Sequence, residues 1–121
     1  MITMTFLIAM LTLLIIDIPF IIFIVQQYQK YWPAKVGFNL KMILGIFVIY
    51  SLLAASLLFI TLHSENPYIN AALMGATIYG VYSFTVYSLV PDWPIWLAGL
   101  ETAWGAIMML IATAVLKFLT R

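Results

Sequence analysis

The 121-residue chain has no cysteine, which excludes disulfides, thiol nucleophiles and thiolate-bound metals. Charge is scarce too: five Lys or Arg, four Asp or Glu and one His, for a formal net charge of +1. No basic stripe is available to neutralise phosphates, so nucleic acid is not an expected partner. A lone histidine does not make a metal centre, and the seven methionines show no clustered soft-ligand spacing. Neither a metal nor a cofactor is therefore expected. Period-2 alternation is absent, which argues against a transmembrane β-barrel. The start, MITMTFLIAMLTLLIIDIPFIIFIV, lacks a basic leader and carries an apolar run too long for a cleaved secretory signal.

What remains is hydrocarbon. Hydrophobic residues make up 66% of the chain, charged residues 7%, and the mean hydropathy is +1.16. Globular chains are about half apolar and about a quarter charged, so this chain has the composition of one whose surface faces lipid. Four segments meet the roughly 20 apolar residues that a bilayer requires. The pattern predicts helices over about 2–31, 40–63, 67–89 and 93–119, within a single membrane domain, 1–121. Trp32-Pro33 and Gly37 mark a turn after the first, and Asn39 is placed to cap the second. Asn66 is a candidate cap and Pro67 suits the first position of the third, where no amide donor is needed. Short connections make sequential helices antiparallel neighbours, so the expected fold is all-α, an integral membrane four-helix up-down bundle.

Side B is defined as the face bearing the connections between helices one and two and between helices three and four. It carries Lys30, Lys35 and Lys41, against Lys117 and Arg121 on side A. The positive-inside rule then places side B in the cytoplasm. Tyr28, Tyr31, Trp32, Tyr87, Trp93 and Trp96 also gather there as an aromatic belt.

Two acids, Asp17 and Glu101, lie inside these apolar runs. A charge at the bilayer centre costs about 2.5–3.5 kcal/mol on insertion scales, and such residues mark functional sites by default. At 1.5 Å rise per residue, Asp17 lies roughly 12 Å and Glu101 roughly 9 Å below side B. Glu101 shares a helical stripe with Ala98, Gly105, Met108 and Ala112, and small residues mark close helix approach. It is therefore expected to point inward. Helix three carries a second small-residue stripe, Ala72, Ala76 and Gly80, with Ala71 and Gly75 beside it. Tyr79, Tyr82 and Ser83 bring hydroxyls to the same depth, where they can satisfy carboxyl oxygens that hydrocarbon leaves bare. Trp104 reads as helix packing, with an indole N–H within reach of an acid. Pro19 leaves the Ile15 carbonyl without its helical donor beside Asp17. Two carboxyls this close in low dielectric do not both ionise readily. His63, Ser64 and Glu65 read as an interfacial loop, and Asp92 as a turn residue.

Along helices three and four, Tyr79, Gly80, Tyr82 and Thr85 are followed without a gap by Asp92-Trp93-Pro94, then by Glu101, Ala103, Trp104 and Gly105. In order and spacing they resemble the Y-G-T-Y-D-L-T-N, D-W-P and V-D-x-A-W-G elements of a membrane family, domain of unknown function family 2177. Asp17 is similar to that family's early acidic position. Three positions depart from it: Ser83 stands where the family has an acid, Val86 where it has asparagine, and Glu101 where it has aspartate. The resemblance implies a four-helix integral membrane protein and brings no known activity. It also implies a bacterial inner membrane, or a viral one, since such families occur in some large viruses.

The leading expectation is a small membrane protein that binds or conducts a cation, proton or small polar solute through a polar layer. That layer comprises Asp17, Tyr79, Tyr82, Ser83, Glu101 and Trp104. A transport path through four helices calls for a homo-oligomer. The alternative is an assembly subunit packed against other membrane proteins, with its acids serving as hydrogen-bonding glue between helices. No nucleophile–base pair is legible, so an enzyme is not expected.

Overall fold

A computed structural model describes residues 2–31 and 40–119, apart from the side chain of Ile2. Its helices are α1 (Ile2–Tyr31), α2 (Leu40–Ser56), α3 (Pro67–Leu89) and α4 (Ile95–Leu119), with a π-helical turn, Leu57–Thr61, continuing α2. The described residues include no strand. All four helices are long and apolar enough to cross a membrane, so this is an all-α, multi-pass membrane bundle. The expected turn at Trp32-Pro33 and Gly37 and the Asn39 cap lie outside the described residues.

Each helix divides its faces between lipid and neighbours. On α1, Met4, Leu7, Leu11, Ile15, Ile18 and Ile22 are exposed, a stripe stepping three or four residues at a time, while Ala9, Leu13 and Asp17 form the buried stripe. That spacing is the helical repeat, with one face turned to hydrocarbon and one to protein. On α4 the buried set includes Ala98, Glu101, Gly105, Met108 and Ala112, the stripe expected from the sequence. On α3 the buried positions are Ala71, Gly75, Ser83 and Val86, so the buried line runs along the neighbouring stripe and not along Ala72, Ala76 and Gly80. The reason is Gly75 and Gly105, whose backbones meet so closely that a Cβ on either would overlap the other's carbonyl oxygen. Without a hydrophobic drive between helices in lipid, such backbone approach supplies the packing.

The helix ends differ slightly from expectation. The amide of Leu62 bonds the carbonyl of Leu57 at 2.8 Å, closing the π turn that ends the second span. Asn66 sits at the N-cap of α3 without a side-chain capping bond; its carbonyl accepts the Asn70 amide at 2.9 Å, and Pro67 opens the helix. Trp93 precedes α4, its amide bonding Val90 in a turn at 3.1 Å. It is also 3% exposed, packed edge-on against Tyr28 at 4.8 Å and against Tyr31 at 6.3 Å. Trp93 is thus an interior plug at side B, not a belt residue; Tyr87 and Trp96 are exposed there.

The core is uneven along the membrane normal. Towards side A all four helices contribute, through Leu13, Leu53, Leu57, Ala71, Met108 and Leu116 among others. Towards side B the buried cluster of Val86, Val90, Trp93 and Leu97 packs against Phe23, Ile24, Tyr28 and Tyr31, all from α1, α3, α4 and the turn between the last two. No residue of α2 joins it. Helix α2 leans on α1, while α3 packs on α4 and on the π turn. Among the described residues the bundle is therefore closed at side A and wedged open between α2 and α3 at side B.

Candidate functional site

Asp17 continues the buried stripe of α1 and is 4% exposed. The Trp104 indole N–H donates to its Oδ1 at 2.7 Å. The Tyr50 hydroxyl donates to Oδ2, and the Tyr79 hydroxyl lies 3.4 Å from the same oxygen. One carboxyl on α1 thus takes a donor from each of α2, α3 and α4. Phe20 stacks on Trp104 with ring centroids 5.0 Å apart and planes at 12°, fixing the indole that reaches Asp17. The arrangement satisfies both carboxyl oxygens where no water would, the requirement that hydrocarbon places on any buried polar group.

Glu101 lies one turn nearer side B than Trp104 and is likewise 4% exposed. Its surroundings differ. The Tyr28 hydroxyl donates to the Tyr82 hydroxyl at 2.6 Å and stands 3.5 Å from Glu101 Oε2, the limit of a hydrogen bond. A hydroxyl has one proton, so Tyr28 cannot donate to both oxygens at once. Ser83, fully buried, is close enough to influence the Glu101 carboxyl. Yet neither Ser83 Oγ nor Glu101 Oε1 completes a hydrogen bond. An oxygen near a hydroxyl without alignment gains little.

The two groups open onto one cavity of about 710 Å³ on the α2–α3 side of the bundle. Asp17, Tyr50, Tyr79, Tyr82 and Glu101 supply its polar end; Ile21, Ile24, Ile46, Ile49 and Ile78 supply most of its wall. Gly45 on α2 also lines it, and a Cβ there would meet nothing within 4 Å. Among the described residues its lining contains two acids and no basic side chain. Among the described residues no cluster of three or more His, Asp or Glu is placed to hold a metal.

Of the six residues singled out from the sequence, Asp17, Tyr79 and Trp104 meet in the deeper group, and Glu101, Tyr82 and Ser83 in the shallower one. Asp17, Tyr79, Tyr82 and Glu101 line the cavity; Ser83 and Trp104 stand behind it. His63, Glu65 and Asp92 are exposed in turns, apart from the site.

Tyr50 and Tyr28 were not expected there. Tyr50 carried a usable signal: ten residues into α2, it lies roughly 15 Å below side B by the helical rise, near the depth of Asp17. Tyr28 follows Asp17 by eleven positions, about three turns, on the same face of α1. Its place near the membrane edge suggested a belt, but its side chain reaches inward.

The sequence profile of a family described as "Predicted membrane protein (DUF2177)" matches residues 2–118. That covers nearly the whole chain, and the chain belongs to this family. No curated protein and no solved structure matches it.

Proposed function

For this member of the DUF2177 family, we propose that the cavity is a ligand-binding site in which Glu101 meets a hydrogen-bond donor or a positive charge, while Asp17 holds together the bundle that frames it. The intramembrane acid layer remains the site, but its two acids have different tasks. One observation carries the reading: Glu101 is buried, lines the cavity, and keeps Oε1 without a hydrogen-bond partner. An unpaired buried polar atom costs about 1–3 kcal/mol, so its presence at that point favours a partner supplied from outside the chain. Asp17 receives donors from three helices and has little left to offer a ligand.

Binding is better supported than passage. Beyond Asp17, towards side A, the interior is filled by fully buried Leu13, Leu57, Met108, Met109 and Leu116. One chain therefore offers a blind cavity, and a route across the membrane would need surfaces from a second copy. The rival reading, an assembly subunit with acids as glue, suits Asp17; it leaves Glu101 with only the long Tyr28 contact to contribute.

The test uses the protein in lipid nanodiscs, titrated with primary amines and alcohols of graded chain length. Tryptophan fluorescence is the readout, since Trp104 stacks on the cavity-lining Phe20. A saturable change is expected in the wild type and in the exposed-site control Glu65→Gln, and is expected to vanish in Glu101→Gln. No saturable change with any probe in the wild type would overturn the proposal.

A further inference from the structure

The lining of the cavity restricts what can occupy it. Its polar groups are Asp17, Glu101, the nearby tyrosine hydroxyls and the Gln29 amide, and the rest is apolar, mostly the isoleucine wall of α1, α2 and α3. A small hydrated cation would leave most of that wall facing its water. Binding cavities are typically mostly apolar, with a few placed polar groups that set orientation, and about 710 Å³ lies within their usual range of roughly 300–1,000 Å³. A helix from another protein does not fit: at about 10 Å diameter it fills roughly 800 Å³ for every 10 Å of its length. The cavity holds less than two turns of one.

The sign of the head follows from charge. Among the described residues the lining has two carboxyls and no basic group, and Asp17 is already supplied with three donors. Glu101 has no countercharge among the described residues of the lining. The route follows from the packing: α2 is missing from the side-B core, while Ile49 on α2 and Tyr82 on α3, both lining the cavity, are themselves exposed. The wedge between α2 and α3 therefore opens sideways, towards hydrocarbon.

We propose that the cavity takes a membrane-borne amphiphile with a single ammonium head, the head paired with Glu101 and the hydrocarbon chain lying against α1 and α2, admitted from the bilayer between α2 and α3. This rests on the ligand-binding reading above and names the ligand class. Lipid tails are as apolar as the isoleucine wall, so the chain gains little by leaving the bilayer. Its fit orients the molecule, and the head supplies the selectivity. Replacing the ammonium by a hydroxyl, or Glu101 by glutamine, is expected to weaken binding by roughly 10- to 100-fold, the loss of one charge-assisted hydrogen bond.

The experiment is photolabelling in nanodiscs with dodecylamine carrying a diazirine in its chain, read by peptide mass spectrometry. The matched dodecanol probe is the neutral arm, and unlabelled dodecylamine and methylammonium are the competitors. Expected is saturable labelling of the segments holding Ile21–Ile24 and Ile46–Ile49. Dodecylamine should compete; methylammonium should not. The labelling should be strongly reduced in Glu101→Gln and in the alcohol arm. Equal labelling by amine and alcohol overturns the headgroup assignment, and labelling spread evenly over the lipid-facing residues overturns the site. If methylammonium alone saturates a Glu101-dependent response and the long amine labels nothing, this proposal fails while the binding reading stands. If no amine and no alcohol of any length binds, both fail. Cross-linked dimers joined through α2, with no probe incorporated, would show a second copy in the cleft and overturn the proposal.

Discussion

Removing the Asp17 carboxyl should loosen the bundle more than any other single polar change among the described residues. Asp17→Leu deletes two close hydrogen bonds, from Tyr50 and Trp104, and the longer one from Tyr79. Intramembrane hydrogen bonds average about 0.6 kcal/mol and reach about 1.7. Two close bonds and one weak one therefore give a loss of about 1.5–4 kcal/mol. Asp17→Asn should cost less, about 1 kcal/mol, because its amide oxygen can face the indole while its NH2 donates to hydroxyls that rotate to accept. The assay is reversible unfolding in mixed micelles with a denaturing detergent. A double-mutant cycle gives the sharper result. Tyr50→Phe should destabilise the wild type by about 1 kcal/mol and do almost nothing in the Asp17→Leu background, since the bond is already gone. Additive losses would refute the hub. So would an Asp17→Leu protein as stable as the wild type.

Other expectations follow from packing and composition. Gly75→Ala and Gly105→Ala each drive a methyl into the facing backbone and should cost about 1–3 kcal/mol or more in the same unfolding assay. Gly45→Ala and Gly99→Ala, where a Cβ meets nothing within 4 Å, should be neutral or stabilising by up to about 1 kcal/mol. With no native cysteine, a single cysteine at the exposed Glu65 position reports orientation. The positive-inside rule predicts labelling by a membrane-impermeant maleimide from outside intact cells, and labelling only after lysis would reverse the topology.

The span limits and the inward face of Glu101 were legible because both follow from periodicity and length, which lipid enforces strictly. Depth counting brought Asp17 and Glu101 to one cavity because helical rise is nearly constant. Three features were not legible. Tyr50 could not be joined to Asp17 without knowing that α2 leans on α1, a matter of tertiary packing. The choice of Ala71 and Gly75 over Ala72 and Ala76 depends on a rotation of α3 that two adjacent small-residue stripes leave open. The cleft comes from the sparse contact between α2 and α3, and no local pattern encodes it. The two acids also looked equivalent as residues; only their donors distinguish them.

In the proposed site Asp17 is structural and Glu101 faces a ligand, and stability of the ligand-free protein tests that division directly. Glu101→Met removes a buried oxygen that has no partner and replaces it with a flexible apolar chain suited to such a gap. In delipidated detergent micelles, free of amine probes, the predicted result is a protein as stable as the wild type or more stable, by up to about 3 kcal/mol. A loss matching that of Asp17→Leu would contradict the claim, because it would make Glu101 a second structural tie.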